Sequence, residues 1–217
     1  MISHTALQLA LRARLLTLSL ATTGSVSLSA TATGYVRTTG SFYADGFWPG
    51  QELATAGFAS NGTRVITQVT PTMLTVSSPI TPEAAAAGRT LSVGLPSSRA
   101  WENVTFTPVT GVPWVEEQYI PGPTVQSTMG PNGLLIAEPM VAVLTHCASD
   151  TGLTAARYAD AVLTLFAPRQ SIPLTNGDVL RVRGDVGPFV GQLQQSQPGF
   201  AVKPVTIPCR VYTPNSI

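Results

Sequence analysis

The chain has 217 residues, a formal net charge of +1 and 11% charged residues, against roughly 25% in an average globular protein. That length allows one or two domains with a sizeable core, and so little charge invites burial against other subunits. The near-neutral balance argues against an electrostatic footprint for tight nucleic-acid binding, and no apolar run reaches the length of a membrane span.

Residues 9–36 open to two readings. Arg12 and Arg14 precede an apolar run and then small residues ending in Ala30-Thr31-Ala32, the layout of a secretory signal peptide. Thr17 and Ser19 interrupt that run. Leu7, Leu11, Leu15 and Leu18 instead recur at helical spacing, widened by Leu9, Ala13, Leu16 and Leu20, with Ser3 placed as N-cap. The spacing predicts a helix of the mature fold over residues 3–20, broken at Thr22, Thr23 and Gly24.

Residues 25–94 are rich in Thr, Ser, Gly and Ala and carry short alternating runs. Val26, Leu28 and Ala30 alternate, residues 65–69 and 73–76 flank a Thr70-Pro71-Thr72 turn, and Leu91 and Val93 close the segment. Short strands with Gly-rich turns predict a small barrel or sandwich. Residues 83–87, between Pro82 and Gly88, read as one helical turn. From Trp101 onward, Val104 and Phe106 alternate as a strand, and residues 114–120 read as a second. Residues 121–133 read as a long loop, and residues 134–147 as a strand broken by Pro139. Leu153, Ala156, Ala159, Val162, Leu163 and Phe166 form one helical face ended by Pro168. Asn176-Gly177 signals a tight turn before a strand at residues 179–182, and a last strand runs through Val202, Val205, Ile207 and Val211. This order predicts an α+β fold, a β-sheet packed with two main helices. Residues 1–24 and 95–217 form that core, and residues 25–94 an inserted small all-β module, barrel- or sandwich-like.

The residues offer little chemistry. His4 and His146 are the only histidines. His146 adjoins Cys147, and Glu116 adjoins Glu117, but neighbours on a strand point to opposite faces. Cys147 and Cys209 read as reduced, half-buried thiols. Arg183-Gly184-Asp185 is ordinary turn chemistry. Asn61-Gly62-Thr63 and Asn103-Val104-Thr105 match a glycosylation sequon that matters only in a secreted chain. No P-loop, dinucleotide fingerprint or zinc spacing occurs, so no catalytic, metal or cofactor residue is assigned.

Trp101-Glu102-Asn103-Val104-Thr105-Phe106-Thr107-Pro108, then Gly111-Val112-Pro113-Trp114-Val115, resembles the central signature of the tail terminator (tail completion) proteins of long-tailed bacteriophages. Tyr119-Ile120-Pro121, residues 155–166 and residues 202–207 also resemble that family, as does the N-terminal helix. The departure is residues 25–94, absent from compact members. Phe42, Asp45-Gly46-Phe47, Gly50, Gly57-Phe58 and Asn61-Gly62 in that segment resemble a small β-module of phage structural proteins.

The resemblance implies a non-enzymatic virion protein of the tail or neck, assembled in the host cytoplasm. A homo-hexameric ring would cap the tail tube, stop its polymerisation and offer a surface to the head connector. The major tail tube protein and the connector or stopper are then partners, and DNA passes the lumen without specific binding. A stopper or adaptor is the nearest alternative; a secreted β-rich adhesin or carbohydrate-binding protein is the alternative of another class. Candidate assembly residues are Trp114 and Glu116, then Pro121, Gly122, Pro123, Gly130, Pro131 and Asn132 of a docking arm, and Arg181 and Arg183. These two arginines line the lumen, pair with a neighbour's acid or are simply solvated. Within the signature, Phe106 reads as core and Trp114, after Pro113, as interface.

Overall fold

The computed structural model describes residues 3–24, 26–102, 104–128, 133–147, 152–197 and 199–214. Helix α1 (His4–Leu15) starts where Ser3 Oγ accepts the Ala6 amide at 3.2 Å, and Leu7, Leu11 and Leu15 are fully buried. It stops a turn earlier than its leucine spacing suggests. Leu16 is exposed, and β1 (Ser19–Thr22) turns the next residues into a strand. A strand partner supplies the hydrogen bonds that a last helical turn would otherwise make internally.

The first sheet then forms from β1, β2 (Leu28–Thr31), β3 (Gly34–Arg37), β4 (Glu52–Ala56), β5 (Gly62–Val69), β6 (Met73–Val76), β7 (Glu83–Ala86) and β8 (Thr90–Gly94). Its hydrogen-bonded order is β1-β8-β4-β5-β6-β3-β2-β7, with every pairing antiparallel. Its own core holds Tyr35, Phe42, Phe47, Phe58, Leu53 and Leu74, all buried. The helical turn expected at residues 83–87 is strand β7 instead. Arg89 reaches Glu83 at 2.6 Å, and Ala86 pairs with Leu28.

The second sheet carries β9 (Ser98–Ala100), β10 (Trp114–Ile120), β11 (Thr124–Gln126), β12 (Leu134–Ala137) and β13 (Met140–Cys147). Helix α2 (Leu153–Leu165) follows, then β14 (Ser171–Pro173), β15 (Val179–Val182), β16 (Phe189–Val190), β17 (Gln194–Gln197), β18 (Phe200–Val202) and β19 (Val205–Pro214). Strand β19 is the spine. Its first half pairs β13 on one side and β16 on the other; its second half pairs β12 and β15. Among the described strands only β9 and β10 run parallel. Helix α2 buries Ala155, Tyr158, Ala159 and Val162 against this sheet and α1.

The expected α+β architecture is overturned. With 43% of the chain in strands and 13% in helices, the protein is mostly β, and its described residues form two large sheets with two helices beside them. Three kinds of segment account for the difference. Residues 19–20, inside the expected helix, and residues 83–86, inside the expected helical turn, pair as strands in β1 and β7, the loop at 121–133 contains β11, and short edge strands such as β14, β16 and β17 have no periodicity to read. Conversely, residues 104–106, expected as a strand, are irregular. Cys147 and Cys209 are fully buried, unlinked thiols, pushed up to about 12 by desolvation. Among the described residues no helix is long and apolar enough to cross a membrane.

The two cores meet through few polar contacts. Thr154 Oγ1 donates to the Pro49 carbonyl at 2.8 Å, and the Arg157 guanidinium lies 4.6 Å from the Trp48 ring centre. Glu52 accepts from the Ser97 amide at 2.7 Å and from its hydroxyl at 2.5 Å.

Candidate assembly surface

Strands β10 and β13 pair over their full length, from Trp114 opposite His146 to Ile120 opposite Met140, and β11 and β12 continue the same hairpin. The hairpin bends where Pro121-Gly122-Pro123 faces Glu138-Pro139. Prolines cannot donate to a ladder, so both strands break pairing there. Gly122 is obligatory at the bend, because a Cβ on it would stand 1.8 Å from the Glu138 carbonyl oxygen. The loop expected as a docking arm is therefore the outer half of a bent hairpin, and all three residues of β11 at its edge are exposed. Gly130, Pro131 and Asn132 lie outside the described residues.

At the other end of β10, Trp114 lies flat on His146, ring centres 3.6 Å apart and planes at 4°. Phe106 covers it at 4.9 Å, and Phe200 approaches edge-on at 6.4 Å. Trp114 is 5% exposed and Phe106 half-buried, which reverses the expected roles: Trp114 belongs to the protomer's interior and Phe106 is its lid. The cause is the irregular course of residues 104–108, which folds Phe106 back over β10 instead of extending it beside the strand. His146 Nε2 stands 3.4 Å from Glu116 Oε2. Burial lowers the imidazole pKa, and Glu116 opposes the shift.

Helix α1 is stitched to this edge by three side chains one turn apart. His4 Nδ1 and the Tyr119 hydroxyl lie 2.7 Å apart, Gln8 Nε2 donates to Glu102 at 2.5 Å, and Arg12 Nε donates to Glu117 at 2.5 Å. The Arg12 guanidinium also sits 5.2 Å from the Trp101 ring centre. Desolvation raises the Glu117 carboxyl, against the pull of Arg12. The sequence placed Arg12 only ahead of the apolar run, so nothing in it pointed to this pair.

On the far side of β19, Glu138 joins Arg183 at 3.1 Å and Arg210 Nε at 2.8 Å. Arg183 also holds Asp185 at 2.6 Å, which depresses that carboxyl. The Arg-Gly-Asp tripeptide thus closes on itself. Arg181 is exposed, its guanidinium 5.9 Å from the Tyr212 ring centre. Of the sequence candidates, Trp114 and Glu116 share one locus and Pro121, Gly122 and Pro123 form the bend, while Arg181 and Arg183 stand apart from both. Glu102, Glu138 and Arg210 had no signal marking them, since each gains its role from a partner distant in sequence; Glu117 was weighed only as the neighbour of Glu116, and its partner Arg12 was not foreseen. Among the described residues no group of three or more His, Cys, Asp or Glu is placed to hold a metal ion.

One solved structure, carrying no functional name, is similar to this chain at 22% identity. It covers 54% of this chain and 79% of its own, with a TM-score of 0.40. No curated protein matches. A family model described as phage tail terminator protein matches residues 83–212, more than half of the chain, taking in α2 and nearly all of the second sheet. The chain belongs to the phage tail terminator proteins, a structural family of the virion tail.

Proposed function

We propose that copies of this chain close into a hexameric ring on the end of the tail tube, stop its polymerisation and present a surface to the head connector. Family membership over residues 83–212 carries this reading. A ring needs one heterologous contact repeated with a closing rotation. A chain with 11% charged residues and an exposed edge strand at β11 is suited to such contacts. The mechanism is geometric: a closed ring matches the tube end yet offers no site for another tube subunit. DNA passes its lumen without specific contacts, consistent with the near-neutral charge, and assembly takes place in the host cytoplasm.

The test is a phage lacking this gene product, complemented with the wild-type chain. Electron microscopy of its lysates should show overlong or headless tails without the protein, and tails of uniform length bearing a six-fold terminal ring with it. Tails of normal length and normal head joining in its absence would overturn the reading. A ring placed on the head connector instead of the tube would favour a stopper or adaptor.

A further inference from the structure

Strand β9 stops pairing β10 at Ala100 opposite Glu116, so no described strand lies beside the outer edge of β10 from Glu117 to Ile120. A groove of about 420 Å³ opens there, lined by Trp101, Phe106 and Trp114 and by Glu102, Glu116 and Glu117. Two of its side chains are almost fully buried yet have an unused polar atom: Trp114 Nε1, a donor, and Glu117 Oε1, an acceptor. Leaving such groups unmatched costs about 1–3 kcal/mol each, so the groove is built for an occupant that both donates and accepts. Arg12 already pairs with the other oxygen of Glu117 and sits on the Trp101 ring; Glu102 and Glu116 leave the groove acidic, and beside the Phe106 and Trp114 rings they favour a further guanidinium, which stacks on rings and donates to carboxylates.

The opposite edge of the same sheet, in hydrogen-bonding order, supplies one. From β10 the order runs through β13 and β19 to β15 and β14. There Arg169 and Arg181 are exposed, and among the described residues neither has an ion pair. Arg169 sits at φ 68 in a turn, its side-chain stem laid against Gly184. We propose that the acidic aromatic groove at the β10 edge receives the Arg169 and Arg181 surface of a second copy of this chain. The guanidinium groups meet Glu102 and Glu116 beside the Arg12–Glu117 pair, and a carbonyl of the same turn accepts from Trp114 Nε1 once the Phe106 lid is displaced. Opposite charge on opposite edges makes the contact head-to-tail, the kind that closes a ring. Aromatic rings with arginine are also the residue types that carry most interface energy. This inference rests on the ring reading above and names the surfaces that would form it.

The test uses two full-length variants, Glu102→Lys with Glu116→Lys, and Arg169→Glu with Arg181→Glu. The first has two basic surfaces and the second two acidic ones. Each alone should self-associate at least about tenfold more weakly than wild type, because like charges then face each other. An equimolar mixture should recover assembly, since each groove then meets a complementary patch. Native mass spectrometry reads the alternating composition, and thermal melts check that both variants fold. Glu102→Lys alone, at an exposed site, serves if the double change does not. Variants that assemble unaided like wild type, or folded variants whose mixture stays monomeric, overturn the interface and leave the ring reading standing. Rings that persist while head joining is lost assign the groove to another protein and overturn it too. A wild-type chain that is monomeric both alone and on isolated tails overturns both readings.

Discussion

Trp114 and His146 lie face to face across the β10–β13 pair, 3.6 Å between ring centres, with Phe106 closing the stack from outside. The geometry sets a clear order of stability effects. Trp114→Ala removes a side chain that is 95% covered and leaves a cavity against His146 and Phe200; it should cost about 3–5 kcal/mol. Phe106→Ala, at a half-buried site, should cost clearly less. Urea unfolding of both variants measures the difference, and equal losses would contradict the assignment of Phe106 as a lid.

His146 adds a pH dependence. Its pKa is lowered in the folded chain from 6.5, burial being the main cause. The unfolded chain therefore binds the proton first. This contribution to stability is fully present above pH 6.5 and is lost as pH falls through the depressed folded value. Glu117, with its raised carboxyl, acts with the opposite sign from 4.5 upward. Comparing wild type with His146→Gln isolates the imidazole: stability of the wild type should fall more steeply below pH 6.5. Parallel curves for the two proteins would show that the ring titrates alike in both states.

Arg12 and Glu117 form a pair in which the carboxylate side chain is 1% exposed and the guanidinium 22%. Arg12→Met should destabilise by up to about 3–5 kcal/mol, because it strands a buried charge. Adding Glu117→Gln should return part of that loss. A double-mutant cycle from thermal melts gives the coupling, and additive losses would mean the two groups act independently.

Gly122→Ala forces a methyl into the Glu138 carbonyl, 1.8 Å away, and backbone cannot rotate aside as a side chain does. The expected cost is about 1–3 kcal/mol, with the hairpin bend displaced. Gly24→Ala, with nothing within 4 Å of the added carbon, is the control and should change stability little. Equal stability of the two variants would refute the close approach.

Residues 25–94 were expected as an insert, and the hydrogen bonding of the first sheet begins earlier, at Ser19. Ser19 pairs directly with Gly94, so the chain enters and leaves that sheet at one point. We propose that the whole sheet is separable. Joining Leu18 to Leu95 through one or two glycines should leave the core around Leu7, Leu11, Tyr158 and Val205 folded, since closing so short a gap costs little. Some stability is lost with the Thr154–Pro49 and Arg157–Trp48 contacts. Circular dichroism and a cooperative melt check it; a shortened chain without a cooperative transition would show that the two cores fold as one.

The core face of α1 (Leu7, Leu11, Leu15) and the strands around residues 65–76 were legible in sequence, because periodicity reports a buried face directly. The face expected for α2 was only half right: Ala159, Val162 and Phe166 are buried, but Leu153 is exposed and Ala155 and Tyr158 face the core instead. The Trp101 to Val115 motif was enough to indicate the family. Tertiary structure decided what depends on distant partners. Residues 19–22 are a strand because β8 lies beside them, and residues 83–86 because β2 does. Trp114 rather than Phe106 is interior because His146 and Phe200 arrive from β13 and β18. Arg12 is tied to Glu117 because α1 crosses β10. Local spacing encodes which side of an element is buried, but pairing and coverage are set by residues as far as 115 positions away, and short edge strands are too brief to carry a period of their own.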